Sequence, residues 1–155
     1  MPDQRTTYTG KKNILVNNFR DLSETNPLVI TVYNLTDITF LKQNIAKQTK
    51  YLQFLSSLNA AAYLGVRGWL ALMKLTQKVL RIVPDHMLDC GCNGGLAMAA
   101  LRLGQKKIIF DSTSPQFKTL VYRATDLNSQ ILPSRPKSLD LACPKTRQLL
   151  KRNVS

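Results

Sequence analysis

Between Trp69 and Val83 the residues Leu72, Leu75, Val79, Ile82 and Val83 fall on one stripe at helical spacing, with Lys74, Gln77, Lys78 and Arg81 opposite. Pro84 follows and has no amide hydrogen to donate, so a helix must stop there. Such a helix is not stable alone in water, because its apolar stripe must be covered by another element or by a partner. A second stripe of Leu41, Ile45, Leu52, Leu55 and Leu58, with Lys42, Lys47, Lys50 and Gln53 on the other side, supplies a candidate cover. Gly65 and Gly68, in the Ala- and Gly-rich stretch from Asn59 to Gly68, permit the turn between them. The pattern predicts a helical hairpin from Leu41 to Val83 and a mostly α fold, either that hairpin or a small helical bundle.

The remaining chain is arranged around this hairpin. At 155 residues it has room for one modest core. Residues 1–27 are polar and are read as a flexible N-terminal arm, 28–132 as the helical domain and 133–155 as a basic tail. Leu28 to Tyr33 is β-branched and fits a helix nearly as well as a strand. Leu96 to Leu103 reads as a short helix closed by Gly104, Lys106 to Asp111 as a buried strand or an extended connection, and Pro115 to Leu132 as a further helix. In the tail three prolines accompany Arg135, Lys137, Lys145, Arg147, Lys151 and Arg152, against the single acid Asp140.

Lys and Arg number 22 against 9 Asp and Glu, a formal charge of +13 that selects for anionic partners: nucleic acid, acidic protein segments or anionic lipid. Three cysteines, two of them at Cys90 and Cys92, do not make a disulfide scaffold. Met1 to Pro27 lacks an apolar core behind a charged start, and Arg67 with Gly68 interrupts the best apolar stretch before spanning length. The expectation is a reduced, intracellular, soluble chain with no membrane span.

Chemistry concentrates in Met87-Leu88-Asp89-Cys90-Gly91-Cys92-Asn93-Gly94-Gly95, followed by a helical segment and Lys107-Ile108-Ile109-Phe110-Asp111. This run resembles the first cofactor motif of S-adenosylmethionine-dependent methyltransferases. There a strand enters a glycine-rich turn, and an acid ending the next strand binds ribose hydroxyls. The resemblance implies cofactor-binding roles for Asp89, Gly91, Gly95 and Asp111, with Asn93 standing where a glycine is usual. Only 44 residues follow Asp111, too few to complete a doubly wound sheet, and the preceding stretch reads as helices. His86 with Asp89, Cys90 and Cys92 lacks the paired spacing of a structural zinc site, so no metal is expected. No nucleophile has an evident base and orienting group. Tyr51, Phe54, Tyr63 and Trp69 fit core or partner-facing positions better than a base-stacking platform.

Two further segments carry a second resemblance. Lys50-Tyr51-Leu52-Gln53-Phe54-Leu55-Ser56, and Ala71-Leu72-Met73 through Ile82-Val83-Pro84 to Met87-Leu88, are similar to the accessory C proteins of morbilliviruses and related paramyxoviruses. In that family a Leu-, Ile- and Met-rich helix ends at a proline preceded by two aliphatics, with a Met-Leu pair shortly after. The resemblance implies a viral accessory protein without enzymatic activity or cofactor, residing in the host cell cytoplasm, with the nucleus left open. Its implied activities are antagonism of interferon induction or signalling and modulation of viral RNA synthesis, through host innate-immunity proteins and the viral polymerase complex. Tyr51, Leu52, Leu55, Leu72, Met73, Leu75, Val79 and Ile82 would then form a seam, either internal core or a docking face. A homodimer and weak nucleic-acid binding through the basic tail are left open. The leading alternatives are a truncated methyltransferase-like domain and a basic nucleic-acid-binding module.

Overall fold

The structure, a computed structural model, describes residues 27–45 and 51–152. In chain order the elements are β1 (Leu28–Thr31), α1 (Leu35–Ile45), β2 (Leu52–Leu55), α2 (Ala60–Tyr63), α3 (Val66–Leu80) and β3 (Asp85–Asp89). They continue with α4 (Gly94–Arg102), β4 (Lys107–Ile109), α5 (Phe117–Asp126), β5 (Gln130–Leu132), β6 (Leu139–Asp140) and α6 (Pro144–Arg152). The strands form one six-stranded sheet in the order β5-β4-β3-β2-β1-β6, with every pairing parallel. The fold is a Rossmann-like α/β arrangement of βαβ units.

This corrects the mostly α expectation. Tyr51, Leu52 and Leu55 do not extend a helix from Leu41; α1 ends at Ile45, and Leu52–Leu55 is a strand at the centre of the sheet. The misreading has a physical cause. A parallel strand covered on both faces loses its two-residue alternation, and Leu52, Leu55 and Leu58 then fall at a three-residue interval that a helix shares. The segment expected as a basic tail carries β6 and α6. The N-terminal arm falls outside the described residues, apart from Pro27.

Strand order settles where the helices lie. From β1 to β5 the chain steps one strand at a time in a single direction, and right-handed crossovers then place every connecting helix on the same face. The packing agrees: α1 lies against α3, α3 against α4, α4 against α5, and α6 against the far side of α1. On that face Ile30, Phe54, Leu88 and Ile108 share the main core with Leu41, Trp69, Ala97 and Leu120. Phe54, Trp69 and Phe110 are fully buried in it, and truncating such a residue costs about 3–5 kcal/mol. The opposite face carries a separate cluster of Leu55, Met87 and Ile109, flanked by Val29 and Leu132, and no described helix contributes to it.

Residues 133–138 return the chain from β5 to β6 across this second face. Five inter-strand spacings of about 4.8 Å make roughly 24 Å, and the seven Cα steps from Leu132 to Leu139 reach about 25 Å at most. The strap is therefore extended, a shape that Pro133 and Pro136 favour. Arg135 ties its middle to the sheet, and a 2.8 Å bond between the Thr31 and Ser138 hydroxyls ties its end.

Local signals explain the helix ends. Asn34 Oδ1 accepts the Asp37 amide at 3.1 Å, while Asp37 Oδ2 accepts the Tyr33 amide at 2.7 Å, a reciprocal cap for α1. The Asp37 carboxylate also pairs with Arg147, whose guanidinium lies 4.7 Å from the Phe40 ring centre, anchoring α6 to α1. Helix α3 stops at Leu80, before Pro84, because Arg81 turns left-handed at φ 55°.

Candidate functional site

Four consecutive strands end on one cleft. Its walls are Leu58 and Asn59 after β2, Asp89 and the Gly91-Cys92 turn after β3, Phe110 and Asp111 after β4, and Pro133 to Arg135 after β5. Parallel α/β sheets bind ligands at this place, because the loops at the carboxyl ends of the strands are free to vary while the sheet holds them. The cleft encloses about 360 Å³, within the size of small-molecule sites, roughly 300–1,000 Å³.

The floor is a fixed polar network. Asp89 is 2% exposed; its Oδ1 accepts the Gly91 amide at 2.9 Å and its Oδ2 accepts Arg135 Nη1 at 2.6 Å. Arg135 Nη2 donates to the Ser56 carbonyl at 2.9 Å, and the Ser56 hydroxyl receives the Asp89 amide at the same distance. The strap, the turn after β3 and the end of β2 are thereby joined through two side chains. Arg135 remains 27% exposed and lines the cleft.

The rim is shaped by Gly91 and Asp111. Gly91 has φ +58°, and a Cβ there would stand 2.1 Å from Asn59 Oδ1. Asn93 needs no such conformation. It sits at φ −88° as the N-cap of α4, its side chain accepting the Leu96 amide at 3.0 Å, so the departure from glycine has a capping role. Asp111 donates its amide to the Gly91 carbonyl at 2.8 Å, and its Oδ1 accepts both the amide and the hydroxyl of Thr113. Those two donors, the amide first, hold the Asp111 carboxyl below its usual range. Oδ2 has no hydrogen-bond partner among the described residues and is free to accept from a ligand.

The fold thus brings together Asp89, Gly91 and Asp111 as the cofactor-like motif implies, but not Gly95, which lies on the first turn of α4 away from the cleft. Gly94 is the constrained position, since a Cβ there would meet Gln116 Oε1 at 2.0 Å. Sequence reasoning missed Arg135, assigned to a tail, and Ser56 and Asn59, assigned to a helix and a turn. The available signal was the pair Ser56-Ser57 directly after an apolar run. His86 lies far from Cys90 and Cys92 along β3; it accepts from Trp69 Nε1 at 3.2 Å and meets Gln105 Nε2 at 3.1 Å. Burial pushes the Cys90 thiol up to about 12, with Asp89 adding to the effect.

The eight residues expected as one seam do not line up. Leu52, Leu72 and Met73 are buried in the main core, Leu55 is buried on the opposite face of the sheet, and Tyr51, Val79 and Ile82 are half-buried. Leu75 is 42% exposed. No described helix is long and apolar enough to cross a membrane. No family model matches the chain, and no curated protein matches it.

Proposed function

We propose that the chain is a ligand-binding α/β domain that takes a nucleoside-class ligand, such as an adenosyl cofactor, in the cleft at the carboxyl ends of β2 to β5. The observation that carries this reading is Asp111. It ends the strand next to the glycine turn, its carboxylate is held ionised by Thr113, and one oxygen is left to accept a pair of hydroxyls. Leu58, exposed at the rim of the cleft, offers an apolar contact for a flat base.

The residues over the glycine turn suit such a ligand only after small movements. Asn59 and Gln116 point the ends of flexible side chains at Gly91 and Gly94, so rotating them opens the backbone to approach. Isothermal titration with adenosine and with S-adenosylmethionine tests the reading. Saturable binding that falls at least tenfold in Asp111→Asn, with circular dichroism unchanged, is expected. No heat up to millimolar ligand removes the proposal.

A further inference from the structure

The layer of helices carries an unusual imbalance of charge. On the described helices and their caps eleven Lys and Arg are exposed, while Asp126 is the one exposed acid and already lies 4.0 Å from Arg123. The other helical acid, Asp37, is buried against Arg147. The exposed acids of the remaining described chain, Asp85 and Asp111, lie on the sheet, one at each end of the strands. The helix layer is therefore strongly cationic, while elsewhere the exposed Lys106 and Lys137 balance Asp85 and Asp111.

The centre of the helix layer is α3, and α3 contains no acid. Arg67, Lys74 and Lys78 are spaced by seven and four residues, which places them within about 40° of arc on one ridge roughly 17 Å long, and Arg81, the left-handed C-cap, follows at its end. All four are exposed, and none forms an ion pair among the described residues. Four unpaired like charges on one ridge repel each other, and an anionic polymer laid along them removes that repulsion.

We propose that the outer face of the helix layer, centred on this ridge, binds the phosphate backbone of a nucleic-acid duplex without regard to sequence. Three observations select a duplex over other polyanions. The apolar face of α3, with Trp69, Leu72 and Met73, is buried against the sheet, and Leu75 is the one large apolar side chain the helix leaves exposed, too little to lay into a membrane. Phe54 and Trp69 are likewise buried, and the exposed Tyr63 and Tyr122 stand one each on α2 and α5, so they make no row on which successive single-stranded bases could stack. The exposed cations spread over five helices that pack side by side, a broad surface matched to a rod and not to a narrow acidic peptide.

The test is fluorescence anisotropy of the full chain with a labelled 20-base-pair duplex over a range of salt concentrations. Each phosphate contact contributes about 0.9 to the slope of log affinity against log salt on B-form DNA. Lys74→Gln, Lys78→Gln and Arg81→Gln together should therefore flatten the slope by roughly 2.7, with circular dichroism unchanged. Lys137→Gln, an exposed cation of the strap, should leave the slope as it is. The inference is overturned by absence of duplex binding at low salt, by an unchanged slope in the triple variant, by tighter binding to single strands, or by tighter binding to phosphatidylserine vesicles. Because no cleft residue is altered, the outcome is independent of nucleoside binding.

Discussion

His86 should make this protein acid-labile at a pH well above that at which its carboxylates fail. The imidazole is largely buried, and burial lowers its pKa from 6.5 to about 4, with Lys107 adding to the shift and Asp85 opposing it. Its Nδ1 accepts the Trp69 indole N–H, which requires that nitrogen to be unprotonated. A proton there would replace the acceptor by a second donor facing both Trp69 and Gln105. The sign follows from the depressed value. The unfolded chain takes up a proton near 6.5 and the folded one only near 4, so the stabilisation is complete above about pH 6.5 and is lost as the pH falls toward 4. At 1.36 kcal/mol per unit, the loss relative to pH 7 is about 2 kcal/mol at pH 5 and about 3 kcal/mol at pH 4. Urea unfolding read by the fluorescence of Trp69, the only tryptophan, measures it directly, since the indole edge lies against the imidazole with ring centres 5.9 Å apart. His86→Asn keeps an acceptor near the same place and cannot titrate, which makes it the reference for every other ionisable group. The stability difference between the two proteins should change by those amounts between pH 7 and 4. Parallel curves would refute the burial argument.

Two other outcomes follow from the same kind of accounting. Arg135→Leu leaves Asp89 buried with the Gly91 amide as its one remaining side-chain donor. Breaking a buried pair costs about 3–5 kcal/mol, and the 27% exposure of Arg135 discounts this to about 2–4 kcal/mol. For a domain of this size that is a fall in Tm of roughly 5–12 °C. Adding Asp89→Asn should recover part of it, and a single variant melting with the wild type would show that the strap is not held by this pair. Alkylation with iodoacetamide at pH 8 should modify Cys92 and Cys143, which are exposed, and spare Cys90, whose thiol is buried and pushed up to about 12. Three equivalents taken up rapidly by the native protein, counted by mass spectrometry, would contradict the burial of Cys90.

What could be read in the sequence, and what could not, follows from how each element is stabilised. Helix α3 was legible because its buried face, Trp69, Leu72, Met73 and Thr76, repeats at helical spacing along 15 residues. Leu75 was misplaced because the apolar stripe in the sequence is wider than the face the sheet covers. Of the strands, β4 and, against a competing helix, β1 were legible in the sequence, while β2 was taken for helix because the strands are no longer than five residues and those in the middle are covered on both faces. The same short strands hid the site. Asp89, Gly91 and Asp111 could be named from their motif, yet the 44 residues after Asp111 seemed too few to build a sheet around them. That objection assumes the missing strands come later in the chain. Here β1 and β2 come earlier and pair on the far side of β3, so the motif stands at the middle of the sheet. The single direction of winding then has its own consequence. With every helix on one face, the other is left for an extended strap, and the strap delivers Arg135 to a carboxylate 46 positions earlier in the chain. No periodicity encodes such a contact. It exists because six residues must cross the sheet, and the first polar anchor within their reach is the end of β3.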